Sequence, residues 1–328
     1  MKHILLTVLT FSSFLCTAQV PDYEYVAFHP KNRQAAIVLP DFSVQLKQTL
    51  KEEKTSYEQP TRLFVVSDIE GEYQRFKTLL CAAGVMDKDF NWTFGRGHLA
   101  VCGDVFDRGS EVTECLWLIY YLEEKAKESG GYVHFLLGNH ELMHFNGDLR
   151  YTNPKYLNLA KQKGVSYRRF YSEQTELGRW LHTKNIVEKI GNLLLVHGGI
   201  SQAVNQWGES LDLINAVARR HYGSSSEILP MPEARLLLFD EGPLWYRGYY
   251  RGLLASQAQV DSTLKLFGVE RIITGHTPVE QIRSFYKGKV FNVDVPHAKG
   301  GSEGLLIEDN KFYRLGLHGS KDLLLGAN

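Results

Sequence analysis

From Arg62 onward the chain alternates between short apolar runs and longer stretches whose apolar positions recur every three or four residues. "LFVVSD" (63–68), "HLAVCGD" (98–104) and "YVHFLLG" (132–138) read as strands. Each is an apolar run ending in a turn. Between them, "EYQRFKTLLCAAGV" (72–85) and "VTECLWLIYYLEEKAKE" (112–128) predict helices. In the second, Val112, Cys115, Leu116, Ile119 and Leu122 share one face. Residues 141–185 carry no strand pattern and predict helix. "NIVEKIGNLLLVHGG" (185–199) then predicts two strands turning at Gly191-Asn192, helices follow near 209–221 and 261–268, and "RIITGH" (271–276) returns to strand. Two more hairpins are expected to turn at Lys287-Gly288 and Asp309-Asn310. Alternating βα units that give way to meandering strands imply packed sheets in the centre with helices outside, an α/β layered fold. Residues 19–61 are mixed, with a charged helix expected over "VQLKQTLKEEK" (44–54), and form an N-terminal extension to a main domain over 62–328.

Composition narrows function mostly by exclusion. The 328 residues are 44% hydrophobic and 23% charged, with Lys+Arg and Asp+Glu equal at 37 each. No net field draws in nucleic acid or an anionic membrane, so function must come from a local site. Residues 1–18 differ: Met1-Lys2-His3, an apolar run and "TAQ" read as a signal peptide cleaved after Ala18, which directs the product to the periplasm or the medium. No later segment is long and apolar enough for a transmembrane helix. Cys81, Cys102 and Cys115, the cysteines beyond that leader, fall in expected helices and a core strand and read as small buried hydrophobes rather than a disulfide framework.

Five of the apolar runs end in chemically loaded turns. These are Ser67-Asp68-Ile69-Glu70-Gly71, Gly103-Asp104-Val105-Phe106-Asp107-Arg108-Gly109, Gly138-Asn139-His140-Glu141, His197-Gly198-Gly199 and Gly275-His276-Thr277. Strand ends side by side in a sheet would bring these tips into one crevice. Carboxylates, an amide and imidazoles without a thiolate suit two divalent ions of hard to borderline character. A carboxylate bridging two such ions about 3.5–4 Å apart is the layout for in-line displacement at phosphorus. Arginines fork onto phosphate oxygens, and a histidine held by an aspartate protonates a leaving group.

The order GD-x-x-DRG, GNHE, HGG, GH resembles the calcineurin-like metallophosphoesterases, in their phosphoprotein phosphatase branch. With "GDLRY" (147–151) and "GPLWYR" (242–247), the chain is most similar to the Shewanella-like protein phosphatases. The resemblance implies a central β-sandwich of two mixed sheets flanked by helices, and direct attack of a metal-bridging water on a phosphomonoester. It implies Asp68 on the first metal and Asp104 between the two, with Asn139, His197 and His276 on the second. His140 matches the proton donor, Asp107 its orienting carboxylate, and Arg108 and Arg247 the phosphate-binding arginines.

Glu70 stands where the family has histidine. As a ligand it leaves the first site all-oxygen, a set that favours manganese or magnesium over zinc or iron; otherwise it accepts a hydrogen bond behind one. The "LWYRGYY" aromatics either stack a phosphotyrosine ring or pack the core. His134 and His144, outside the motifs, read as structural or surface histidines. The substrate expected is a phosphorylated protein. The alternatives are a nucleotide or dinucleoside polyphosphate, or a pocket that binds phosphate without turnover.

Overall fold

A computed structural model describes residues 36–225, 231–239 and 241–326; the leader expected over 1–18 lies outside them. After a small hairpin of β1 (Ala36–Val38) and β2 (Ser43–Gln45), β3 (Ser56–Tyr57) leads to β4 (Arg62–Val66). Helix α1 (Tyr73–Ala82), β5 (His98–Cys102), α2 (Val112–Glu128), β6 (Tyr132–Leu136) and α3 (Asn139–Asn146) follow in βα alternation. The later strands are β7 (Val187–Ile190), β8 (Leu193–Val196), β9 (Arg271–Thr274), β10 (Arg283–Phe285), β11 (Val290–Asn292), β12 (Glu303–Glu308), β13 (Lys311–Gly316) and β14 (Lys321–Leu325). They form two six-stranded sheets, in the orders β14-β13-β12-β4-β5-β6 and β10-β11-β9-β8-β7-β3.

The sheets pack face to face. Leu63, Val65, Ala100, Cys102 and Leu136 of one meet Ile190, Leu193, Leu195, Ile273 and Phe291 of the other, all fully buried. The alternate residues, Phe64, Val66, Leu99 and Val101, face the opposite way and join the larger cluster that takes in the helices. Both faces of β4 and β5 are thus covered, which is why their sequences do not alternate. The three expected hairpins pair antiparallel as β7-β8, β10-β11 and β12-β13. Cys81, Cys102 and Cys115 are free thiols, and no helix among the described residues is long and apolar enough to cross a membrane.

Two expectations need correction. Residues 46–54 are not helical, and β3 adds to the sheet edge beside β7. Tertiary contacts outbid local helix propensity here: Leu46 and Leu50 pack against the core, while the charges of the segment enter a buried cluster. Lys47 pairs with Glu123 on α2, and Lys184 Nζ lies 2.7 Å from Glu123 and 2.8 Å from Glu53. The strand β14 and the helices Gln202–Trp207 and Pro232–Leu238 had no clear sequence signal.

Burial alone would raise the Glu123 carboxyl, but Lys184 and Lys47 outweigh it and hold the group down to about 2. Its contribution to stability is therefore present above the ordinary carboxylate range and is lost as pH falls toward 2. Lys184→Met should destabilise the fold by about 3–5 kcal/mol, because it leaves buried carboxylate charge without its partner. Urea unfolding of the variant measures this, and a loss under about 1 kcal/mol would show the cluster is not needed for stability.

Candidate metal centre

The parallel strands β4, β5 and β6 are neighbours in one sheet, and β8 and β9 are parallel neighbours in the other. Asp68 lies two residues beyond β4, Asp104 two beyond β5, His197 one beyond β8 and His276 two beyond β9, while Asn139 opens α3 after β6. The loops after β4 and β5 are joined by backbone hydrogen bonds from Asp68 N to Gly103 O (3.0 Å), Glu70 N to Asp104 O (3.0 Å) and Gly71 N to Val105 O (2.9 Å).

The crowding needs glycine at two points. A Cβ on Gly138 would stand 2.2 Å from Asp104 Oδ1, and one on Gly275 would stand 2.4 Å from Asp68 Oδ2. Backbone strain is concentrated here as well. Asp68, Glu70, Asp104, Asp107, Arg108 and His276 all have φ between 49° and 72°, a region that residues with a Cβ seldom occupy. Such strain persists only where surrounding contacts over-determine it, as at binding and catalytic sites.

Asp104, His197 and His276 form a buried group whose donor atoms lie within 4.8 Å of one another. His197 Nδ1 donates to Cys102 O at 2.7 Å, which turns Nε2 toward Asn139 Oδ1 at 3.0 Å and Asp104 Oδ2 at 3.1 Å. An imidazole nitrogen facing two oxygens needs a proton or a cation between them. Burial disfavours the charge, yet Asp104 and Asp68 push His197 up to about 10. A divalent cation answers the same demand and leaves the ring neutral, oriented by its outer hydrogen bond. His276 Nε2 donates to Trp245 O at 3.0 Å, leaving Nδ1 for the cluster. Burial, His197 and Arg247 hold His276 well below the ordinary imidazole range, so it is already the neutral form a ligand must be. These four residues fit a metal ion.

Asp68 adds a carboxylate on the adjoining side. Its Oδ2 accepts from Ser67 Oγ at 2.6 Å and His276 N at 3.0 Å. Burial, then Asp104, raise it to about 6, outweighing the opposite pull of His197. Glu70 is turned to the rim, where its carboxylate pairs with the Arg108 guanidinium.

His140 and Asp107, expected as acid and holder, are brought together. His140 Nδ1 lies 2.5 Å from Asp107 Oδ2, and His140 Nε2 lies 3.9 Å from Asp104 Oδ2. Burial opposes protonation, but Asp104 and Asp107 raise His140 above the ordinary imidazole range. Arg247 sits at the opposite rim and donates to His276 O at 2.8 Å.

Two side chains that support these residues escaped the sequence reading. His144, one helical turn after His140, brings Nε2 to 2.7 Å from Asp107 Oδ1, so one carboxylate serves two rings. The i, i+4 spacing after GNHE was the available signal. Glu141 is wholly buried and accepts from the backbone N–H groups of Gly138 (2.6 Å), Asp104 (2.9 Å), Val105 (2.8 Å) and Phe106 (3.2 Å), clamping the Asp104 loop onto α3. His134 is structural, as expected: it is buried and its Nδ1 lies 2.8 Å from Glu188 Oε2 on the facing sheet. The "LWYRGYY" aromatics are packing groups. Tyr249 is buried against Tyr246 and Tyr286, and the Tyr250 hydroxyl bonds Thr274 Oγ1 at 2.6 Å. An exposed aromatic lies elsewhere: Tyr151, 46% exposed, has its ring 5.3 Å from that of His140 and 5.4 Å from the Arg108 guanidinium.

The chain is similar to known proteins. The model of the family "Calcineurin-like phosphoesterase" matches residues 61–280. The Shewanella-like protein phosphatase 2 of Arabidopsis thaliana is 25% identical over 298 residues, covering 77% of this chain and 75% of that protein. An uncharacterised Schizosaccharomyces pombe protein is 29% identical over 282 residues, covering 78% of this chain and 77% of its own length. Among solved structures, the cold-active protein-tyrosine phosphatase of a psychrophilic Shewanella species superposes with a TM-score of 0.85 at 34% identity, covering 89% of this chain and 90% of that one.

Proposed function

This chain is a calcineurin-like phosphoesterase of the Shewanella-like protein phosphatase group, and on that footing we propose that it is an exported phosphomonoesterase using two divalent cations to hydrolyse phosphoproteins, phosphotyrosine above all. The observation that carries the reading is the buried meeting of Asp104, Asn139, His197 and His276 beside the His140–Asp107 pair. That combination offers cation ligands and a leaving-group acid in one crevice, which a binding pocket without turnover has no use for.

Held by Asp68, Asp104, Asn139, His197 and His276, divalent cations would supply an acidified water and positive charge against the phosphoryl oxygens. The chain's own residues supply the rest. Arg108, held by Glu70, and Arg247, held by the His276 carbonyl, present guanidinium forks to the remaining oxygens. His140, charged and fixed by Asp107, gives its proton to the departing oxygen. Asp68 and Asp104 would hold the first cation through oxygen alone, with Glu70 facing Arg108 where the family has histidine, which supports manganese or magnesium there. Tyr151 offers a flat apolar face beside the acid, a fit for the ring of phosphotyrosine. Likeness to the Shewanella protein-tyrosine phosphatase supports the same substrate. Export rests on the leader over 1–18, and N-terminal sequencing of the secreted product should begin at Gln19.

The deciding assay compares phosphotyrosine peptide, phosphoserine peptide and diadenosine tetraphosphate, with metal removed by chelation and then restored. Hydrolysis should require added manganese or magnesium and favour phosphotyrosine. Tyr151→Ala should raise KM for the phosphotyrosine peptide several-fold and leave the phosphoserine peptide unchanged. A faster reaction on diadenosine tetraphosphate would replace the protein-phosphatase reading with the small-molecule one.

A further inference from the structure

Strand β11 runs parallel to β9 and is its neighbour, in the register Asn292↔Thr274. The pairing continues past the strand ends through Val293 N to Thr274 O at 2.8 Å. Asp294 therefore stands level with His276, two residues beyond its strand just as His276 is beyond β9. The tips of β8 and β9 carry His197 and His276, and the tip of β11 lies beside them with a carboxylate of its own.

Asp294 is only 4% exposed, and its Oδ2 has no hydrogen-bond partner; Oγ1 of Thr277, the residue after His276, is likewise buried and unpartnered. The two are tied together through Asn292, whose Nδ2 donates to Thr277 O at 2.8 Å and whose Oδ1 accepts from Asp294 N at 2.8 Å. Burial, then the charges of Asp68 and Asp104, push the Asp294 carboxyl well above the ordinary carboxylate range against the pull of His197, so the carboxyl faces the groups of the centre. A buried carboxylate oxygen without a donor costs several kcal/mol by general expectation, so a partner is required. Asp294 lies outside the close group of Asp104, His197 and His276, beside the cation site that Asp68 would serve.

We propose that Asp294 is an outer carboxylate of the metal centre, which with Thr277 accepts hydrogen bonds from the water around the cation on the Asp68 side. The family's nitrogen ligand is replaced on that side by Glu70, whose carboxylate is engaged by Arg108. A cation there depends more on water, and a carboxylate that orients the water becomes correspondingly important. This inference rests on the two-cation reading.

Calorimetric titration of the chelated protein with manganese tests it. The wild type should bind two ions, and Asp294→Asn should weaken one of them by about 10–100-fold while the other is unchanged. Asp294→Ser, which leaves room for an extra water, should do the same if the asparagine variant folds poorly. Two ions at wild-type affinities in a folded variant would overturn the role of Asp294 alone. Fewer than two ions on the wild type would instead overturn the two-cation reading. Anomalous scattering from manganese soaked into wild-type crystals gives a check free of any variant. An ion beside Asp68 whose water reaches an Asp294 oxygen supports the assignment, and water bonded only elsewhere removes it.

Discussion

Asp104→Asn should abolish hydrolysis, lowering kcat/KM on every phosphomonoester by at least about 10³-fold, and should loosen both cations. Asp104 ties the β5 turn to both His197 and α3. Its Oδ2 faces His197 Nε2 at 3.1 Å, and its Oδ1 accepts from the backbone of His140 at 2.9 Å. Burial would raise this carboxyl, but His197 and His140 hold it well below the usual carboxylate range, so it is an anion at any working pH. An asparagine keeps the shape and loses the charge. One neutral amide offers a single oxygen where the two proposed cations would need a shared anion, and its NH₂ would face groups that require an acceptor. Elemental analysis and activity on the same preparation check this. Near-normal turnover with two bound ions would take Asp104 out of the bridging position.

His140→Asn should slow hydrolysis of phosphoserine and alkyl phosphates by roughly 10²–10⁴-fold while sparing p-nitrophenyl phosphate, whose phenolate leaves without a proton. Burial works against the charged ring, but Asp104 and Asp107 outweigh it and raise His140 from its ordinary value, which favours its acid form. The rate on poor leaving groups should fall as pH rises through that raised value, and this limb should vanish in the asparagine variant. Asp107→Asn should act in the same direction but more weakly, since His140 keeps its place on α3. An equal loss on both classes of substrate would mean that His140 positions the phosphate instead of protonating the leaving oxygen.

Much of this centre was legible along the chain because its parts are local. A buried strand must be apolar on both faces, and the turn that ends it must carry polar groups at close quarters, so runs such as "LFVVSD" and "HLAVCGD" announce both the strand and the ligand. Helix α2 was legible to the residue, since its apolar face and charged end are both periodic. The turns at Gly191-Asn192 and Asp309-Asn310 were readable because few residues tolerate positive φ, and Gly191, Asp309 and Asn310 all have it.

What lay outside reach depended on partners far away in sequence. The charged segment 44–54 reads as helix in isolation, yet Lys47 and Glu53 are committed to Glu123 and Lys184, more than 70 residues distant. Glu70 has the composition of a ligand, and only the fold sets Arg108 against it. His144 gains its connection through Asp107, which lies 37 residues earlier. Asp294 ends a short strand like many others until β11 is laid beside β9 and its carboxylate is left buried without a donor. Sequence by itself determined where polar turns close the buried strands, since strand burial and turn geometry are short-range constraints. Tertiary structure decided which of them meet, because strand order and side-chain pairing are settled by packing between segments that the chain does not bring together locally.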